Sequence, residues 1–344
     1  MTQAHTDGSR ADVQYDIITV GSSTEDVMVH CSSARVITVM DEQGQDAWMA
    51  FEYGGKIHVD NMEISVGGGA VNTAITFAKQ NMTTALVSKI GRDDPGERVK
   101  SRMEEFGART HLMAYSEESG TGYSTIITTF TGERTILVHR GAARELGEDD
   151  IPWDDLKRTE WMYVGALAGQ SWRLYPKLAR FAEEHDIKLA LNLGTSQIDE
   201  GLEEYGDLLE GTYMIFQNDE EMRRLTDVAA ERGDRDEREI CQRLHDRGVD
   251  IVVITDGERG AMASDGRAYY TVPAYQVQIE STVGAGDAFA AGCIAALWHG
   301  KSVPDALRLG SANAASVCGH TGANAGILTW EEALQFVDEH KARI

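Results

Sequence analysis

The chain has 344 residues, 42% of them hydrophobic and 26% charged, with a formal net charge of −24 at neutral pH. A field of that sign repels nucleic acid, and no apolar run approaches the roughly 20 residues that a membrane span requires. Four cysteines, Cys31, Cys241, Cys293 and Cys318, lack C-x-x-C or zinc-finger spacing, which argues against disulfides and structural zinc and for a reducing, cytoplasmic setting.

The ten histidines are scattered, with no H-E-x-x-H pair to suggest a metal centre. The acid excess, combined with far more Arg than Lys, leaves two readings open: an ordinary solvated acidic surface, or adaptation to high salt.

Residues 1–14 read as a flexible polar tail. "YDIITVG" (15–21) is a short apolar run closed by glycine and predicts a buried strand. The alternating pieces between 36 and 66, broken by Gly and Asp, predict antiparallel strands outside the main sheet. "AVNTAITFAKQN" has helical period, "TTALVSKIG" predicts the next strand, and "PGERVKSRMEEFG" opens with Pro95 and closes with Gly107, the asymmetry expected of helix ends.

Residues 109–140 return to β patterning around the turn "TGER". From 160 onward strand and helix alternate: "EWMYVGAL", "WRLYPKLARFAEEHD", "IKLALNLG", "YMIFQN", "DEEMRRLTDVAAE", "EREICQRLHDRG", "VDIVVITDG". Such alternation specifies a doubly wound, mostly parallel α/β sheet with helices on both faces. The expected organisation is one domain over 15–340, with a small β lid from two segments near 30–66 and 109–140. The charged run 231–239 reads as a solvated loop between helices.

Two phosphate-binding signatures fail. "GKS" at 300–302 has Ala295 where a Walker A loop needs glycine, and it follows a helix. "GGGAVN" (67–72) has Asn72 where a dinucleotide fingerprint needs its third glycine, which weakens a nicotinamide-dependent dehydrogenase.

"ESTVGAGDAFAAG" (280–292) is more informative. If a helix starts near Asp287, the amides of Gly284, Ala285 and Gly286 lie at its positive end, and small side chains let a polyphosphate approach the main chain. An acid placed there would repel that anion, so it makes sense as the group that takes a proton from a nucleophile attacking the phosphate. The plainer alternative is an N-cap Asp after a glycine turn.

"GGGAVNTAI" and "STVGAGDAFAAG" together resemble the two signatures of the ribokinase-like, PfkB-type carbohydrate kinases. Between them "NDEE" (218–221) resembles the family's N-x-x-E element and "TDGERG" (255–260) its T-x-G-x-x-G nucleotide loop; the likeness runs from about residue 15 to 340. It implies a ribokinase-like fold and ATP- and Mg²⁺-dependent phosphorylation of an alcohol of a sugar, sugar phosphate or nucleoside.

By this resemblance Asp287 is the general base, and Gly284, Ala285 and Gly286 form the anion hole. Glu221, with Asn218, orders Mg²⁺ through water. Thr255, Gly257 and Gly260 contact the nucleotide, with Asn313 facing adenine. Asp26, Gly68, Gly69 and Asn72 frame the acceptor, and Arg140 either enters the pocket to pair with a negative group on it or is a solvated arginine at a strand end. Many relatives carry Asp where this chain has Ser281; a neutral hydroxyl is a weaker K⁺ ligand, so monovalent-cation dependence does not carry over.

The acceptor stays open: Arg140 and Arg134 point to a phosphosugar or sugar acid, "LNLGTSQ" to nucleoside kinases. A non-catalytic sugar- or nucleotide-binding regulator is the rival of another class. Trp48, Met49 and Phe51 are either lid core or a contact in a homodimer paired through the lids, as family members often are.

Overall fold

The computed structural model describes residues 13–41, 44–129, 134–201, 209–229 and 234–340. The expected tail lies outside these except for its last two residues. In chain order the strands and helices begin with β1 (Tyr15–Val20), β2 (Thr24–His30), β3 (Arg35–Asp41), β4 (Gly44–Ala50), β5 (Asn61–Gly67) and α1 (Gly69–Lys79). There follow β6 (Thr84–Val87), β7 (Lys89–Gly91), α2 (Asp94–Glu105), β8 (Ala114–Ser116), β9 (Gly122–Thr128), β10 (Arg134–His139), α3 (Trp153–Leu156) and β11 (Thr159–Val164). The chain continues with α4 (Tyr175–Glu184), β12 (Lys188–Leu191), α5 (Thr195–Glu200), β13 (Thr212–Asn218), α6 (Asp219–Thr226) and α7 (Asp234–His245). It ends with β14 (Ile251–Thr255), β15 (Ala261–Ser264), β16 (Tyr269–Val272), α8 (Ala285–Trp298), α9 (Val303–Cys318) and α10 (Trp330–His340).

Eight strands form the main sheet in the order β16-β15-β14-β13-β12-β11-β1-β6. From β6 to β14 every pairing is parallel, and β14-β15-β16 closes the edge antiparallel. Both faces are covered, so the central strands read as continuous apolar runs and not as alternating ones. Alternate side chains still part to opposite sides: Ile18, Val164, Ile215 and Val252 join one buried cluster with Leu178, Leu225 and Leu244 of α4, α6 and α7. Ile17, Trp161, Phe216 and Val253 join the other with Phe289, Ile294 and Leu307 of α8 and α9. Each fully buried Leu, Ile or Phe contributes about 1.5–3 kcal/mol.

β1 lies between β6 and β11, so successive connections leave it in opposite directions and a crevice opens beyond the strand ends. Gly21, Gly165, Asn192, Asn218 and Thr255 stand at those carboxyl ends.

A second, four-stranded sheet has the order β10-β9-β2-β5, and β3 and β4 pair as a separate hairpin. It takes its first strand from Thr24, earlier than the periodicity suggests, and its β2-β9 pair is parallel although the expectation was antiparallel. Residues 114–116 pair with β7 instead.

"TTALVSKIG" divides at Ser88, whose hydroxyl accepts from Ser23 and whose carbonyl accepts from Ala114; the chain leaves β1 there to pair with β8. The charged stretch expected as a loop is helical from Asp234. Among the described residues no helix is long and apolar enough to cross a membrane.

Candidate active site

The three glycines leading into α1 are each bare for a different steric reason. A Cβ on Gly67 would lie 1.8 Å from Asp26 Oδ2, and one on Gly68 would lie 2.4 Å from the Ser22 carbonyl oxygen. Gly68 also has φ of +94°, which disfavours any side chain. A Cβ on Gly69 would touch Asp287 Oδ1 at 3.4 Å. The glycine run therefore lets β2, α1 and α8 converge on two carboxylates.

Asp26 is buried; its Oδ1 accepts from Thr24 Oγ1 at 2.9 Å, and the Ser124 hydroxyl also donates to it. Burial raises its pKa, and these hydroxyls oppose the rise.

Asp287 is the third residue of α8 and half-buried. Asn72 Nδ2 donates to its Oδ2 at 2.8 Å, joining residues 215 positions apart in the chain. Burial pushes its carboxyl up to about 6; Asn72 pulls it down and the charge of Asp26 pushes it further up. A carboxyl whose pKa is raised toward neutral pH is, once ionised, a stronger base than a free carboxylate.

The helix behind it is entered through Gly284 at φ of +80°, where a Cβ would press within 2.7 Å of the Ala323 backbone. The first-turn amides of α8 have no intrahelical partners, and Ala285 N makes only a long contact of 3.4 Å to the Thr282 carbonyl. Nothing lies within 4 Å of the place a Gly286 Cβ would occupy. The helix dipole and open amides give this turn the positive potential and free donors that suit an anion.

Two cavities meet here. One of about 240 Å³ is walled by Asn192, Gln217, Asn218, Glu221, Gly284 and Asp287. The other, about 440 Å³ and mostly apolar, runs from Gly257 and Gly260 past Tyr275 to Ala314, Ala315 and Cys318. Thr255, Gly286 and Phe289 wall both.

Asn218 caps α6: its Oδ1 accepts from Glu221 N at 2.8 Å, while Glu221 Oε2 accepts from Asn218 N at 3.2 Å and from Gln217 Nε2 at 2.8 Å. Burial raises the Glu221 pKa, opposed by these donors. Among the described residues no cluster of three or more His, Cys, Asp or Glu could cage a metal. Mg²⁺, which keeps several waters and leans on substrate phosphates, needs no such cage, so the ordered Glu221 carboxylate beside the open first turn of α8 fits it.

The model of the pfkB family of carbohydrate kinases matches residues 37–330. The chain belongs to that family. This pfkB chain is 27% identical over 312 residues to the ribokinase of Haemophilus influenzae, an alignment covering 88% of this chain and 99% of that one. It is likewise 27% identical over 273 residues to the ATP-dependent ribose-1-phosphate kinase of Halopiger xanaduensis, covering 79% and 86%. In fold it matches the solved structure of Arabidopsis thaliana ribokinase complexed with ribose and ATP, at a TM-score of 0.79 and 20% identity over 94% of this chain and 98% of that one. It is thus a phosphotransferase of the sugar and nucleoside kinase class with the ribokinase-like α/β fold.

Most residues singled out in the pfkB motifs converge. Asp26, Gly68, Gly69 and Asn72 gather on one side of Asp287, and Asn218, Glu221, Thr255 and Gly284–Gly286 on the other. Gly257 and Gly260 wall the apolar cavity, and a Cβ on Gly260 would strike the Val272 carbonyl oxygen at 2.1 Å.

Asn313 does not join them. It is fully buried; its Nδ2 donates to the Ala288 carbonyl and its Oδ1 accepts from Leu328 N, both at 2.9 Å, so its amide ties α8 to the α10 approach. Ser311, Ala314 and Ala315 of the same helix face the cavity instead. Arg140 lines a separate cavity, described below. Ser281 Oγ accepts from Val283 N at 3.2 Å, bracing the turn before Gly284.

Sequence reasoning passed over Gln217 and Asn192. Both are polar residues ending apolar runs, "MIFQ" and "LALN", at strand carboxyl ends, and that placement is the signal that could have found them. Tyr163, buried with an unpartnered hydroxyl, carries no such signal.

Proposed function

We propose that the protein transfers the γ-phosphoryl group of ATP to a hydroxyl of a sugar, sugar phosphate or nucleoside, with Asp287 as general base. The observation that carries this reading is the Asp287 carboxylate, held by Asn72 at the open first turn of α8, with a titration point raised to about 6.

The acceptor lies against Asp26, Gly68, Gly69 and Asn72, and its hydroxyl gives its proton to Asp287. Amides of Gly284, Ala285 and Gly286 stabilise the charge on the transferring group; base and donors each contribute on the order of 10²–10⁴-fold and 10²–10³-fold respectively. Thr255, Gly257 and Gly260 seat the nucleotide beside Ala314 and Ala315. Mg²⁺, when bound, neutralises phosphate charge, and Glu221, oriented by Asn218 and Gln217, holds its waters.

The second sheet and the β3-β4 hairpin act as a lid on one kinase domain spanning 15–340. Their exposed apolar side chains, including Trp48 at 62%, Leu137 at 57% and Ile64 at 54% exposure, suit a homodimer joined through these sheets. The four unpaired cysteines support a cytoplasmic setting.

A coupled ATP-consumption screen over sugars, sugar phosphates and nucleosides, with and without KCl, tests the activity. Asp287→Asn should lower kcat by 10²–10⁴-fold with nucleotide affinity kept. Near-normal turnover by the variant would remove Asp287 from the mechanism, and nucleotide binding without consumption across the panel would favour a regulator.

A further inference from the structure

A third cavity, about 590 Å³, opens beyond the carboxyl ends of β11 and β12, where β10 runs out. Its wall includes His139, Arg140, Arg144, Gly169, Thr195 and Ser196. Arg140 and Arg144 are exposed, and neither guanidinium makes an ion pair or hydrogen bond among the described residues, although the charge of Arg144 acts on the neighbouring Glu145 carboxylate, which Ser116 and Ser119 hold. The carboxylate on this wall, Asp199, is already held by Arg224.

In a chain carrying a net charge of −24, arginines elsewhere pair readily: Arg98 with Glu25, Arg223 with Asp219 and Asp236, Arg243 with Glu239. Two arginines on one cavity wall, neither in an ion pair, leave donors free for an anion.

Arg144 is also fixed in place. Gln170 N donates to its carbonyl at 3.0 Å, and Ser171 Oγ donates to the Ala143 carbonyl at 2.9 Å. Its side chain lies across Gly169, where a Cβ would come within 2.8 Å of Arg144 Cβ and 3.1 Å of its Nε. The cavity adjoins the Asp287 site through the loop after β12: Asn192 walls one and Gly194 the other, two residues of chain that span at most about 7 Å.

We infer that this cavity is an anion subsite of the acceptor: the protein phosphorylates a sugar that already bears an oxyanion, a phosphate ester or a carboxylate, gripped by Arg140 and Arg144. The inference rests on the kinase reading above and narrows its acceptor. Guanidinium pairs suit either oxyanion through paired N–H donors. The surrounding acidic field is screened beyond roughly 8 Å at physiological ionic strength, so the local pair governs the last step of approach.

Ribose 1-phosphate, ribose 5-phosphate and gluconate, run against ribose, glucose and adenosine in the ATP-consumption assay, read this directly. An anionic acceptor should exceed its neutral counterpart in kcat/KM by roughly 10–100-fold, the range of one or two charged hydrogen bonds. Arg140→Gln and Arg144→Gln should each remove about tenfold of that preference through KM, leaving KM for ATP in place. The phosphate and carboxylate arms identify which oxyanion is read.

A best acceptor that is neutral, or a double variant that keeps the anionic preference, overturns the inference while the kinase reading stands. If no acceptor is consumed, the kinase reading is what fails, and calorimetric titration with inorganic phosphate decides the subsite. Weaker binding by the double variant supports it, and equal binding overturns it.

Discussion

At Asp287 the protein keeps a carboxylate where burial and the charge of Asp26 both favour the protonated form, against the hydrogen bond from Asn72. With its titration point near 6, the acid limb of kcat/KM should fall about tenfold per pH step below that value, measurable between pH 4.5 and 8. Stability carries the opposite sign. A folded-state pKa of about 6 lies above the ordinary 3.8, so the stabilising proton is fully in place below pH 3.8 and lost as pH rises through 6.

Asp287→Asn escapes that loss: its Tm should exceed the parent's by a few degrees at pH 7.5, and the difference should vanish by pH 3.5. A lower Tm for the variant at pH 7.5 would show that Asn72 outweighs burial.

Asp287 was legible because its neighbours are informative: three small residues before an acid have few other uses. Asn313 was not, because whether a helical amide faces a cavity or the next helix depends on packing that no local pattern records. Arg144 follows Arg140 by four residues across a one-turn helix, and only the fold shows that both face one cavity.

Among the elements, α8 offers a matched pair of glycines. A side chain at Gly286 meets nothing within 4 Å, and alanine is the better helix former by about 0.5–1 kcal/mol. Gly286→Ala should therefore leave Tm unchanged or raised, yet lower kcat by tenfold or more if a phosphoryl group must approach that backbone. Gly284→Ala should lower both Tm and turnover, since its left-handed turn costs about 1–2 kcal/mol for an L-residue and its Cβ collides with Ala323. Full activity in Gly286→Ala would exclude close phosphate approach at that residue.

The parallel strands were plain in the sequence, because burial on both faces leaves unbroken apolar runs. The break at Ser88 was invisible: strands β6 and β7 are both apolar and nearly contiguous, and only their partners differ. The onset of α7 at Asp234 was hidden by the density of charge in its first turns, ahead of Ile240, Cys241 and Leu244, which are buried.

At the scale of the molecule, the charge of −24 acts on stability and on encounter. Salt weakens self-repulsion and also the repulsion between this surface and an anionic nucleotide. Raising KCl from dilute to molar should therefore raise Tm, and kcat/KM for ATP should climb over the lower part of that range. Indifference of both would reduce the acid excess to plain solvation. Net charge was readable at once from composition, whereas the second sheet was readable only as strands: its mixed parallel and antiparallel pairing joins β2 to segments about 35 and 100 residues away, a long-range choice without a local signature.

The Asn72–Asp287 hydrogen bond also joins two lengths of chain with different tasks. On the proposed reading, residues that grip the acceptor come from the first 200 positions, and those that seat the donor come from 216 onward. The bond is a seam between those two tasks. On that reading the two tasks can be altered separately: substitutions in β10, the turn carrying Arg144 or the loop after β12 bear on the acceptor, and those from 216 onward bear on the donor.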